Sequence, residues 1–111
     1  MSLAARLNKR VTIQALVEVQ DSIGQPLPAD WIDIITDGDG KCWAEVKDVS
    51  GKEFIAADAE NSKVTTRITI RHRADVTAEM RVLHGENIYN VLAALGQADR
   101  TLLLMCERGT A

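Results

Sequence analysis

Trp43-Ala44-Glu45-Val46-Lys47, running on through Ser50-Gly51-Lys52-Glu53-Phe54 to Thr66-Arg67-Ile68-Thr69-Ile70-Arg71-His72-Arg73, organises the chain. Cys42, Ala44 and Val46 share one face of the first segment, and Trp43, Glu45 and Lys47 share the other. That period of two marks a half-buried strand. In the later segment Val64, Thr66, Ile68 and Ile70 point one way, while Thr65, Arg67, Thr69, Arg71 and Arg73 point the other. Ser50 and Glu53 between them form a capping box, each side chain able to reach the other's backbone amide. The box predicts one short helix over 50–61, with Phe54 and Ala57 toward the core. The unit is strand, helix, strand, with an exposed Arg-rich face and no catalytic constellation.

Working outward, Val11, Ile13, Ala15, Val17 and Val19 alternate with polar residues, broken only by Leu16, and make the cleanest strand in the chain. From Gln20 the alternation stops. Gly24, Pro26 and Pro28 break the pattern, Trp31 to Ile35 is a short apolar run that reads as a strand or a loop edge, and Thr36 to Gly40 is a turn cluster. Residues 20–41 are therefore expected to be a long loop excursion, the kind of segment that carries function. Beyond the central unit, Met80–His84 and Asn87–Leu92 read as strands joined by a hairpin at Gly85-Glu86. Gly96–Arg100 is a turn, and Thr101–Glu107 is a nearly continuous apolar strand. The class is mainly β: a small β-barrel of six or seven strands with one inserted helix and a long loop, in a single domain spanning 1–111.

Composition supports an ordinary folded chain. It is 46% hydrophobic and 26% charged, with only 4% aromatic residues, so the core rests on Val, Ile, Leu and Ala. A formal charge of −3 argues against a surface devoted to nucleic acid but permits a local basic patch. No apolar run approaches the roughly 20 residues of a membrane span. Cys42 and Cys106 sit in alternating apolar runs without ligand spacing, and read as buried free thiols.

Chemistry finds little foothold. Asp37-Gly38-Asp39-Gly40 suggests a calcium loop, but the register from Asp37 puts Lys41, and that from Asp33 puts Ile35 and Ala44, where an oxygen ligand is needed, so it is a tight turn. His72 falls on the apolar face of its strand, His84 lies at a hairpin end, and neither has a metal or nucleophile partner. No catalytic, metal or cofactor residue is therefore named. Arg67, Arg71 and Arg73, with Arg81 on a nearby strand, are the suggestive charges, suited to phosphate or to an acidic neighbour.

Taken in order, Leu7-Asn8-Lys9-Arg10-Val11-Thr12-Ile13-Gln14, Asp21-Ser22-Ile23-Gly24-Gln25, Trp43-Ala44-Glu45-Val46, Ser50-Gly51-Lys52-Glu53-Phe54, Thr66-Arg67-Ile68-Thr69-Ile70-Arg71, Met80-Arg81-Val82, Gly85-Glu86-Asn87-Ile88-Tyr89-Asn90-Val91 and Leu104-Met105-Cys106-Glu107 resemble the phage head–tail joining family. The resemblance covers nearly the whole chain. It implies a non-enzymatic virion protein, made in the bacterial host cytoplasm, whose copies form a homo-oligomeric ring of six-fold or twelve-fold symmetry. The ring would lie beneath the portal, close the DNA-filled head and dock the tail. Portal or adaptor proteins, tail proteins and the genomic DNA passing through the channel would be its partners, with no membrane involved. Carried onto this chain, the 20–41 excursion becomes a partner or channel loop (Asp21, Ile23, Gln25, Trp31, Asp37, Asp39). Arg67, Arg71, Arg73 and Arg81 become a subunit-interface or phosphate-facing set. One departure from the family is a longer connection between Trp31 and Trp43, with the Gly38-Asp39-Gly40 turn inserted. Two other readings stand beside it: an OB-like nucleic-acid-binding barrel using the Arg face, and another tail-assembly component.

Overall fold

The computed structural model describes residues 3–20, 22–49 and 64–109. A one-turn helix, α1 (Leu3–Arg6), precedes seven strands: β1 (Lys9–Gln20), β2 (Pro26–Asp33), β3 (Cys42–Asp48), β4 (Thr66–Arg71), β5 (Arg81–His84), β6 (Asn87–Gly96) and β7 (Thr101–Gly109). All ladders are antiparallel. β1 pairs with β3 through Lys9–Val11 and with β5 through Thr12–Gln14, which closes a six-stranded barrel in the order β1-β3-β4-β7-β6-β5. Closure removes the ladder edges that an open sheet would leave exposed. The mainly β barrel matches the alternating pattern of the sequence. The helix expected over 50–61 lies outside the described residues. The helix that is described, α1, stands in the polar lead-in, and Leu7 just after it is 2% exposed.

The core follows the alternation. Val46, Ile68, Leu104 and Ala94 form a row across β3, β4, β7 and β6, and Ala44, Ile70 and Leu102 form the next. Val11 and Ile13 of β1 and Val82 of β5 are fully buried, and close the circle from the other wall. Ile68 and Leu104 are both at 0% exposure and directly opposite one another. On β6 an extra residue enters between Val91 and Ala93, so that Leu92 bulges outward. The bulge shifts the inward phase from Tyr89 and Val91 to Ala94, which lets β6 continue to Gly96, past the Leu92 end expected from the pattern. The β5–β6 hairpin turns on Gly85-Glu86 as expected. Gly85 has φ +59° and Glu86 does not, which is type II′ geometry.

The long loop expected at 20–41 is replaced by a hairpin. Residues 26–33 are strand β2, paired with β1 from Gln20↔Pro26 to Gln14↔Asp33. Proline withholds ladder donors, but among the described residues β2 has β1 as its sole ladder partner, and an edge strand tolerates that loss. Between Val17↔Asp30 and Val19↔Leu27, β2 carries one residue more than β1, a bulge that falls at Pro28-Ala29. Gln14 pairs with Asp33 on one edge and Arg81 on the other, so β2 takes the same edge of β1 that β3 takes at Val11. β2 and β3 thus run in line, with residues 34–41 looped out between them. Ile35 from that loop is 5% exposed and completes the core. Beyond Gln14, β1 and β2 form a two-stranded arm whose strands have no other ladder partner among the described residues.

Candidate functional site

Two surfaces at opposite ends of β1 stand out. The first is built on a row of outward residues at the barrel end. Arg10 on β1 is opposite Trp43 on β3, and its guanidinium lies 4.8 Å from the Trp43 ring centroid. Trp43 is one register step from Ala44↔Ile70, which sets Arg71 of β4 on its other side. The indole, 51% exposed, is therefore flanked by two cations. A cleft of about 510 Å³ lies on one side, lined by Ala4, Ala5, Leu7, Asn8, Trp43 and Arg71. Another of about 320 Å³ shares Trp43 and Arg71, and is walled by Arg10, Lys41, His72 and Arg73.

The charges there are unevenly compensated. Arg10 donates to Asp39, and this bond holds the Asp39 carboxyl below its usual range. Arg73 makes a two-pronged contact with Asp75 at 3.0 and 2.9 Å, which lowers the Asp75 pKa and raises that of Arg73. Both pairs are solvent-exposed, so water and salt screen them and neither adds much to stability. The side chains of Arg71 and Lys41 form no ion pair among the described residues, although the Lys41 backbone amide donates to Asp39 at 3.2 Å. Arg6 of α1 bridges Glu45 at 3.3 Å and Asp99 at 3.8 Å, tying the helix to β3 and to the β6–β7 turn.

The second surface is the arm. At its root, Gln14 donates to Asp33 at 2.7 Å and accepts from Arg81 Nε at 2.7 Å, while Arg81 stacks 4.2 Å from the Trp31 centroid. Further out, Leu16 and Ile32 are about half exposed, and Ile23 at the turn is 76% exposed.

These positions rearrange the residues read from the sequence. Ile23 and Gln25 lie at the arm's tip and Trp31 on its shaft, whereas Asp37 and Asp39 lie back at the barrel end. Asp21 lies outside the described residues. The six therefore do not form one loop, because β2 carries the chain back along β1. Asp37 and Asp39 instead join Arg71 and Arg73, and the field of Asp37 contributes to the raised Arg73 pKa. Arg67 faces a different recess, with Glu45, Lys47 and Asp99. Arg81 is not on a nearby strand: β5 is three strands from β4 in either direction round the barrel. His72 is exposed beyond the end of β4 rather than on its apolar face. Arg10 and Trp43 as a pair escaped the sequence reading, and nothing local in the sequence places β1 against β3.

Both cysteines are free thiols. Burial pushes the Cys106 thiol up to about 12, and raises Cys42 against the opposing fields of Arg73 and Arg10. At pH 8 the native Cys106 thiolate is more than about a thousandfold scarcer than that of an ordinary thiol. Titration of the native protein with a chromogenic disulfide at pH 8 should release at most one prompt equivalent, from Cys42, with the second appearing only on unfolding. Two prompt equivalents would contradict the placement of Cys106. Among the described residues no cluster of His, Cys, Asp or Glu is arranged to hold a metal ion, and no helix is long and apolar enough to cross a membrane.

A closed barrel with a cation-flanked indole at one end and a ribbon arm at the other belongs to the small β-barrel structural proteins. The chain belongs to the phage head completion protein family, whose model matches residues 3–109. It is a structural virion protein of phage head closure, assembling with other head and tail proteins. It is 32% identical over 111 residues to head completion protein gp7 of Enterobacteria phage HK97, with 94% of each chain covered. It is similar to a protein of Shigella flexneri 2a solved in solution, at TM-score 0.78 and 34% identity, covering 99% of this chain and 98% of that one. A chain in the virion of a native gene transfer agent particle shares the fold at TM-score 0.59 and 24% identity, covering 96% of this chain and 98% of that one.

Proposed function

We propose that this chain, as a single domain spanning 1–111, forms a homo-oligomeric ring beneath the portal. The ring closes the DNA-filled head around its channel and presents a docking surface to the tail. Its action is mechanical, without catalysis or cofactor, and rests on contacts between chains. The observation that carries this reading is the β1–β2 arm, a ribbon with no further ladder partner past Gln14 among the described residues, on a barrel of the head completion family. Such a ribbon gains stability by packing on a neighbour. Its tip, with Ile23 and Gln25, is the partner-facing element. Asp37, Asp39, Arg71 and Arg73 are assigned to a subunit interface, and Arg67 and Arg81 to positions outside it. Pairing of Arg10 with Asp39 and of Arg73 with Asp75, on a chain of net charge −3, weighs against a nucleic-acid-binding barrel, since phosphate contacts need uncompensated cations.

Electron microscopy of an induced lysate from a prophage deleted for this gene tests the proposal. Full or leaking heads beside separate, complete tails are expected, with tailed particles restored on complementation. Normal tailed particles from the deletion would overturn it.

A further inference from the structure

The net charge of −3 hides a marked polarity along the chain. From Thr12 to Asp33 there are four acids, Glu18, Asp21, Asp30 and Asp33, and no lysine or arginine. From Leu3 to Val11 the charges are Arg6, Lys9 and Arg10, with no acid. The fold separates these segments. β1 is a continuous twelve-residue strand, beginning beside Trp43 and ending in the arm. At about 3.4 Å per residue, Arg10 and Gln20 are roughly 34 Å apart. The molecule's longest extent is 52 Å. An arm cannot fold back onto the Trp43 clefts of its own barrel.

We propose that the arm of one copy docks in the Trp43–Arg71 clefts of the next copy. This rests on the ring reading above and names the contact that would build it. Ile23 at the tip supplies an exposed apolar side chain for the cleft floored by Ala4, Ala5, Leu7 and Trp43. Glu18 and Asp30, behind the tip on the two faces of the ribbon, meet the uncompensated Arg71 and Lys41 of the neighbouring cleft. Each copy has one arm and one pair of adjoining clefts on different parts of its surface, so the contact is head-to-tail, the kind that closes into rings. Charge complementarity sets the direction of docking and excludes arm against arm, where acids would oppose acids.

Sedimentation equilibrium of the full chain between about 10 µM and 1 mM tests this. Wild type is expected to gain mass with concentration. A cleft variant, Lys41→Glu with Arg71→Glu, and an arm variant, with residues 18–29 replaced by Asn-Gly, should each associate at least about tenfold more weakly alone. Mixed in equal amounts they can form only one arm–cleft contact, and should stop at a 1:1 pair. Adding Glu18→Lys and Asp30→Lys to the cleft variant, in the same chain, should restore self-association. If either variant alone associates as wild type does, this contact is wrong while the ring reading stands. A wild type that stays at monomer mass throughout overturns this proposal, and the deletion phenotype then judges the ring independently.

Discussion

Replacing Leu104 by alanine is expected to cost about 3 kcal/mol of folding free energy, within the range for truncating a fully buried leucine. Leu104 is at 0% exposure in the middle of β7, opposite Ile68 on β4 and Ala94 on β6. Three strands of the barrel meet there, so the void cannot close without moving β-ladder backbone, and both transfer and cavity terms apply. Small domains hold about 5–15 kcal/mol in all, so the loss is a large share. The melting temperature should fall by on the order of 10 °C. Ile68→Ala should cost a comparable amount. Because the two side chains touch the same space, the double variant should lose less than the sum, with a coupling of at least about 0.5 kcal/mol. Leu95→Ala, at a position 47% exposed on the far side of the β6 bulge, should cost under about 1 kcal/mol. Chemical denaturation of the four variants measures all of this. A Leu95 loss equal to that of Leu104 would mean that the bulge at Leu92 does not set the inward phase as described.

The second large effect is on assembly rather than stability. Replacing residues 18–29 by Asn-Gly joins Val17 to Asp30, which already face each other across the ladder. Asn-Gly is the preferred two-residue hairpin turn, so the shortened arm can close without strain. Glu18, the residues 22–25 and Ala29 are all exposed, and no core side chain is removed among those whose burial is described. Stability should change by no more than about 1 kcal/mol, with intact β circular dichroism and NMR dispersion. Complementation of the gene deletion with this variant should nevertheless fail, leaving heads and tails unjoined and lowering infectious titre by orders of magnitude. Full complementation by a shortened arm would remove the arm from the mechanism. Failure to fold would show instead that the arm braces the barrel, and the charge variants of Lys41 and Arg71 would then carry the question.

Several elements were legible before any coordinates. The alternation of Val11 and Ile13, of Ala44 and Val46, and of Thr66, Ile68 and Ile70 gives the inward face of three barrel strands, because a strand exposes and buries side chains with period two. Gly85-Glu86 was readable as a hairpin, since a positive φ there is easiest for glycine. The ordered motif series also pointed to the right family. Other elements were hidden by local signals that tertiary context overrides. Pro26 and Pro28 argued for a loop, yet an edge strand with a bulge accommodates them. Leu92 looked like a strand end because the bulge changes the phase of the alternation.

By itself, then, the sequence determined the strand faces, the hairpin turn, the aliphatic core and the family. It also determined the charge polarity between Leu3–Val11 and Thr12–Asp33. The tertiary structure alone decided the neighbours: β1 between β3 and β5, Arg10 and Arg71 on either side of Trp43, Asp39 on Arg10, and Arg81 on the wall opposite Arg67. The physical reason is that side-chain periodicity is a local property, written residue by residue along each strand. Which strands pair is settled by long-range ladder closure and shared core volume, and those are properties of the whole barrel.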